Sequence, residues 1–248
     1  MNFSHVLISR PETEARQLAA SLADTGLEVV VMPAFRFGPQ QADIDFAAGW
    51  PAAGRRLAVF ASPRAVEFGL RQLPTGFLRE ARVAAIGPAT ARALEQAGEP
   101  VALLPEQVYD SESLLQAPEL ADAPGVAIIF TAPGGRRALQ TGLAALGWSV
   151  HMAHVYRRIA LAAPVTGIKK LNSARRIISV WTSGNAMQAL AEALPPQTWE
   201  KVLAGAWLVT SARLAEQARA LGSRATEVTE GPGNDRIRES ITRLLVNV

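Results

Sequence analysis

Five positions place a glycine or a hydroxyl residue where a short apolar run gives way to an amphipathic one: Ser62, Gly87, Gly134, Thr182 and Ser211. If each such point is a strand end followed by a helix start, it leaves backbone N–H groups unpaired, with about half a positive charge at the helix terminus. Such ends bind carboxylate or phosphate. Thr90, Ser183 and Asn185 belong to the same turns, and Gly135 and Arg136 continue the one at Gly134. A plainer role is compatible with ligand contact, because Ser62, Thr90, Thr182, Ser183 and Ser211 are all good N-caps, each worth about 1 kcal/mol. Gly134 and Gly135 also suit a tight strand-to-helix turn.

Other chemistries find little support. The chain has no cysteine, hence no disulfide, thiol nucleophile or thiolate metal site. Its three histidines, His5, His151 and His154, fall on apolar runs, and His151 and His154 would face opposite sides of an extended strand. No metal site is expected. After the first apolar run, Ser9-Arg10-Pro11-Glu12-Thr13 contains no glycine, which argues against a nucleotide or flavin cofactor. No Ser, His and acid set emerges with positional logic. A reaction that asks little of side-chain chemistry, and uses no cofactor, fits this poverty.

At 248 residues, 49% hydrophobic and 19% charged, the chain is expected to fold as two domains of about 100 to 150 residues. The formal charge of +3 suits an anionic ligand and is too small to require nucleic acid. The densest basic patch, Lys169, Lys170, Arg175 and Arg176, reads as a solvated helix and strand entry. No window reaches the roughly 18 apolar residues of a membrane span, and Met1 to Arg10 is one short apolar run ending in a charge. We therefore expect an unprocessed, cytoplasmic, monomeric protein.

The elements that position these turns repeat. Leu57 to Pro74 aligns without a gap on Ile178 to Pro195, with Ser62 on Ser183 and Pro74 on Pro195, an offset of 121 residues. The same offset puts Val6 to Phe37 on Ala127 to Arg158, and at a slightly larger one Ile86 to Glu106 meets Thr210 to Glu230. Each copy alternates β-branched runs with Ala/Leu-rich amphipathic ones, the signature of a parallel sheet with crossover helices. Expected strands are His5–Ser9, Glu28–Met32, Leu57–Ala61, Val83–Ile86 and Val101–Leu104, then Val126–Phe130, Ser149–His154, Ile177–Trp181, Trp207–Thr210 and Ala225–Val228. Helices include Glu12–Asp24, stopped by Gly26, and Asp235–Leu245. The fold class is α/β, with two flavodoxin-like, doubly wound parallel-sheet domains joined by two extended linker strands.

Periodicity leaves two arrangements open. In a tandem the chain divides near Asp122. In an exchange, residues 1–36 and 162–248 form one domain, 40–155 form an inserted second, and 35–39 and 156–161 are crossing linkers. Tyr156, one of two tyrosines, lies on the second linker, opposite Phe35 in the repeat. Symmetry is broken there by one hydroxyl, although an amphipathic linker aromatic with its tip in water would look the same.

Several segments carry a family resemblance. Val59-Phe60-Ala61-Ser62-Pro63-Arg64-Ala65-Val66-Glu67 resembles the "FTSPRAVE" segment of uroporphyrinogen-III synthases. Ala84-Ala85-Ile86-Gly87-Pro88-Ala89-Thr90-Ala91 is similar to their "VGxxTA" turn, Val155-Tyr156-Arg157-Arg158 to their "VYRR" linker, and Trp181-Thr182-Ser183-Gly184-Asn185-Ala186 to their "TSxxA" turn. Two places depart: Thr131-Ala132-Pro133-Gly134-Gly135-Arg136 keeps only the second half of an "RGxGGR" loop, and Val209-Thr210-Ser211-Ala212-Arg213 replaces a Gly-Pro-Thr-Thr-Ala turn.

The resemblance implies the exchanged arrangement, a deep cleft between domains, and hydroxymethylbilane, a linear tetrapyrrole with eight carboxylates, as substrate. It implies that the helix N-termini, with Arg10, Arg64 and Arg136, receive those carboxylates. Tyr156 is then placed to help the terminal hydroxyl leave, by hydrogen bonding or proton donation. The azafulvene so formed is attacked by ring D through its substituted carbon, and a spiro intermediate reopens and recloses with ring D inverted. Transient contact with hydroxymethylbilane synthase is a further implication. Two readings compete from other classes: a non-catalytic two-domain anion-binding or sensing protein, and a nucleic-acid-binding regulator, whose binding would weaken steeply with salt. Isomer analysis of the product from hydroxymethylbilane separates the enzyme from both.

Overall fold

The computed structural model describes residues 2–51, 54–106, 108–134 and 137–246. Its strands are β1 (His5–Ile8), β2 (Glu28–Val31), β3 (Phe35–Pro39), β4 (Arg56–Phe60), β5 (Arg82–Ala85), β6 (Val126–Thr131), β7 (Ser149–His154), β8 (Tyr156–Ala160), β9 (Ile177–Trp181), β10 (Ala206–Val209) and β11 (Thr226–Val228). Its α-helices are α1 (Glu12–Ser21), α2 (Pro63–Gly69), α3 (Pro88–Gln96), α4 (Ser111–Leu115), α5 (Ala138–Ala145), α6 (Val165–Ser173), α7 (Gly184–Ala193), α8 (Pro196–Leu203), α9 (Ala212–Ala220) and α10 (Asn234–Val246).

The chain divides into two compact units, Met1–Arg36 with Ile159–Val248 and the continuous Phe37–Arg158. The first unit holds a five-stranded sheet in the order β11-β10-β9-β1-β2, parallel throughout. Read from the β2 edge this is the 2-1-3-4-5 order of doubly wound folds. His5 to Ile8 pair in register with Glu28 to Val31 on one side and with Ile177 to Val180 on the other. On one face, Val6, Ile8, Leu18, Leu22, Ile178 and Leu208 build a core closed by Ile237 and Ile241 of α10. A buried indole cluster also belongs to this unit: the Trp181 and Trp207 rings lie 4.9 Å apart, and Trp199 is edge-on to Trp207 at 5.6 Å. Trp181 and Trp207 satisfy their N–H groups on Ser179 Oγ and the Val202 carbonyl.

The second unit is the same sheet with one strand fewer, β5-β4-β6-β7, again parallel. Each of its strands answers to one in the first unit by the repeat. The exception is Val101–Leu104, expected as a fifth strand, which makes only an isolated bridge between Leu103 and Ala84. Pro100 and Pro105 bracket the segment and remove two ladder donors, so pairing does not extend. Apolar clusters cover both faces, one around Phe60, Phe130 and Tyr156 and the other around Val59, Ile129 and Trp148. β3 and β8 pair in a two-stranded ribbon of their own. Hydrogen bonds from Leu161 to Ala34 and from Gln40 to Val155 at its two ends make it antiparallel.

Candidate active site

In parallel sheets a ligand binds beyond the carboxyl ends of the strands, where the winding direction reverses. In the second unit that point lies between β4 and β6, and a cavity of about 590 Å³ opens there. Ala61, just past β4, and Thr131 to Gly134, at and past the end of β6, line it, with Ile86 beyond β5. Thr131 is the register partner of His154 at the end of β7, and both belong to the lining. They share a face with Ile129 and Met152 because side chains alternate along a strand. Arg137 and Gln140 of the following helix start, and Ser111 of α4, add polar groups. The walls are thus apolar at the base, with a cation, an imidazole, hydroxyls and an amide around them.

Beside Ala61, Ser62 caps α2 by accepting the Ala65 N–H at 3.1 Å. Its hydroxyl also lies 3.0 Å from the Tyr156 hydroxyl. Tyr156 is 7% exposed, packed against Phe68 at 5.9 Å and edge-on to Phe37 at 5.7 Å. The alternative reading of Tyr156, a linker aromatic with its tip in water, does not describe the structure: the ring is core and its hydroxyl has a protein partner. Arg64, in the first turn of α2, pairs with Glu67 at 2.9 Å and lies over the Phe37 ring at 5.3 Å.

In the first unit the reversal lies between β1 and β9, where the Ser9 hydroxyl donates to the Val180 carbonyl at 3.1 Å. Arg10 follows and donates to Asn234 Oδ1 at 2.8 Å. Burial lowers the Arg10 guanidinium from its usual range, with Glu14 acting in the opposite sense. Ser211 caps α9 through the Leu214 N–H. Ser183 occupies the cap position of α7 with no side-chain hydrogen bond, while Thr182 precedes it and Asn185 is exposed in its first turn.

Not every predicted site residue behaves as its local pattern suggested. Thr90 does not cap α3; Gly87 does, and Thr90 is buried one turn in, because the helix starts at Pro88. Gly87 packs beneath Tyr109, whose Cβ would lie 3.4 Å from a Cβ added there. Gly134 does not open a helix: it sits in a turn at φ +75°, and α5 begins four residues later, after Arg137. Gly135 and Arg136 lie outside the described residues. Sequence reasoning passed over Arg137, Gln140 and Ser111 because nothing in their local spacing marks them. His154 was set aside as a metal ligand, yet its position at a strand end, two residues before Tyr156, was a readable signal. His5 is held at Glu28, 3.0 Å away, and no group of three His, Asp or Glu able to hold a metal occurs among the described residues.

The described residues include no helix long and apolar enough to cross a membrane. The family model described as "Uroporphyrinogen-III synthase HemD" matches residues 16–237. The uroporphyrinogen-III synthase of Escherichia coli (strain K12) is 31% identical over 95% of this chain and 99% of its own. That of Salmonella typhimurium (strain LT2) is 32% identical over the same shares. Among solved structures, a Helicobacter pylori uroporphyrinogen-III synthetase superposes with a TM-score of 0.65 at 14% identity, covering 97% of this chain and 99% of that one. A mutant Thermus thermophilus uroporphyrinogen III synthase gives 0.61 at 19%, covering 99% and 100%. Those two likenesses speak for the fold, and the family match and close relatives for the activity, a cyclising lyase reaction of tetrapyrrole synthesis, over a non-catalytic anion-binding role. With the motif turns at the carboxyl edges of two doubly wound sheets, the chain belongs to the uroporphyrinogen-III synthase family.

Proposed function

We propose that the chain carries out its family's ring closure, hydroxymethylbilane to uroporphyrinogen III with loss of water and inversion of ring D, through a donor pair made of Ser62 and Tyr156. The observation that carries this reading is the 3.0 Å contact between their hydroxyls. Ser62 already accepts from Ala65, so its own proton is free to go to the Tyr156 oxygen. That leaves the phenolic proton for the departing hydroxyl of ring A: the C–O bond breaks, water leaves, and an azafulvenium cation remains opposite the phenolate for ring D to attack, the proton released when ring D rearomatises after reclosure restoring the phenol. Hydrogen bonds in such a chain strengthen one another.

The remaining predicted residues are proposed as carboxylate contacts. In the second unit these are Gly87, Gly134, Gly135, Arg136 and the helix starts carrying Ser62, Arg64 and Thr90. In the first they are Arg10, Thr182, Ser183, Asn185 and Ser211. Holding the substrate's acids fixes its flexible ends, and positioning of this kind supplies a large part of a barrier reduction. No cofactor enters the scheme. We further propose that the protein acts as a cytoplasmic monomer and takes its substrate through transient contact with hydroxymethylbilane synthase.

Hydroxymethylbilane supplied to the purified protein, with products oxidised to porphyrins and the isomers separated, tests the reading. Wild type should give the type III isomer. Tyr156→Phe should lower kcat by about 100-fold at similar KM, within the range of general acid effects. Unchanged kcat in that variant would reduce Tyr156 to packing.

A further inference from the structure

At the carboxyl edge of the first unit's sheet, Arg10 emerges from β1 and is half-buried. A guanidinium in that setting normally finds a carboxylate, since burying a charge without compensation is costly. Here the hydrogen bond goes to a neutral group, the Asn234 side chain, 224 residues away in sequence and at the first position of the 13-residue α10. Among the described residues no ion pair to Arg10 occurs, and the Glu14 charge favours the guanidinium cation against its burial. Two acids of this region are engaged by Arg236: Glu230 lies 3.5 Å from it and Glu239 3.1 Å. Other cations of this unit do have carboxylates, Arg238 on Asp24 and Arg243 on Glu227. An amide at the start of α10 fixes the direction of the Arg10 fork without cancelling its charge.

We infer that Asn234 is a positioning residue that holds Arg10, a cation with no ion-pair partner, for one carboxylate of the substrate. The inference rests on the proposed reading of Arg10 as a substrate contact. It separates cleanly from a structural role, because the two make opposite predictions for a carboxylate placed at position 234. If the pair served only to tie β1 to α10, Asn234→Asp would replace a cation–amide hydrogen bond by a stronger ion pair and leave substrate binding alone. If Arg10 is kept for an anion, the same change fills its fork and repels the incoming acid.

The experiment is steady-state kinetics with hydroxymethylbilane on Arg10→Gln, Asn234→Asp and Asn234→Ala, each with a thermal unfolding midpoint. We expect Arg10→Gln and Asn234→Asp to raise KM about tenfold with kcat within about twofold of wild type, and Asn234→Asp to unfold no earlier than wild type. Asn234→Ala, which frees the guanidinium without neutralising it, should raise KM by about threefold. Unchanged KM in Arg10→Gln would overturn the reading of Arg10 itself. A raised KM in Arg10→Gln with wild-type KM in Asn234→Asp would overturn the role of Asn234 alone. Should Asn234→Asp fold poorly, Asn234→Ala decides, and wild-type KM in that variant overturns the inference.

Discussion

The Ser62 hydroxyl has two neighbours, the Ala65 amide that it caps and the phenol of Tyr156. Its repeat counterpart, Ser183, makes no side-chain cap bond, and the counterpart of Tyr156 is Phe35, which has no hydroxyl to offer. The donor pair therefore takes one member from each copy of the repeat and lies in the unit Phe37–Arg158, while the equivalent positions of the other unit, Ser183 and Phe35, offer only the scaffold. The asymmetry at Tyr156 was legible in the sequence because a repeat exposes its own exceptions. The partner was not, since the two residues are 94 positions apart and meet only through the sheet. The pair makes a testable unit. Ser62→Ala should cost about 1 kcal/mol of stability through the lost cap. It should also lower kcat by about tenfold, because the phenol loses the group that orients it. In a double-mutant cycle, adding Tyr156→Phe to Ser62→Ala should reduce kcat by clearly less than the product of the single effects. Independent, multiplicative effects would mean that Ser62 acts on the helix alone.

Helix starts show which turns are structural. Ser211 accepts the Leu214 N–H, so Ser211→Ala should destabilise the protein by about 1 kcal/mol, measured as a lowered urea midpoint at constant slope. Ser183→Ala, with no cap bond to lose, should leave that midpoint in place. A loss of affinity in the Ser183 variant would then report ligand contact, whereas a shifted midpoint would show that Ser183 caps α7 after all. The composition of these two turns does not distinguish them, since both offer a serine after a buried strand. What differs is whether the hydroxyl meets a backbone amide of the helix, which local sequence does not encode. The same limit explains Gly134: the glycine pair marks a turn, but the distance from turn to helix depends on how α5 seats against the sheet. Strand positions were far more legible, because alternation and β-branched runs reflect burial directly. The one expected strand that failed, Val101–Leu104, is flanked by prolines whose lack of a donor outweighs the apolar pattern.

The repeat displayed a duplicated unit, but its pattern is indifferent to which copy of β1 pairs with which copy of the next central strand. Hydrophobic periodicity says which face is buried, and both central strands bury both faces equally. In the structure β1 lies between β2 and β9, so the first 36 residues complete a sheet whose other strands come from the chain's last third. This makes the two units unequal when cut from the chain. Residues 37–158 contain every strand of β5-β4-β6-β7 and both of its covering clusters. Residues 159–248 retain β9, β10 and β11 but lose β1, which pairs with β9, and β2 beyond it, together with Val6, Ile8, Leu18 and Leu22 from the core. A bare edge on a buried strand, with its apolar face open, is an aggregation template and not a stable sheet. We therefore expect fragment 37–158 to unfold in one cooperative urea transition, and fragment 159–248 to show none until residues 1–36 are supplied as a separate peptide. Cooperative unfolding of 159–248 by itself would mean that three strands with α10 suffice, and that β1 and β2 are a covering layer and not part of that unit's nucleus.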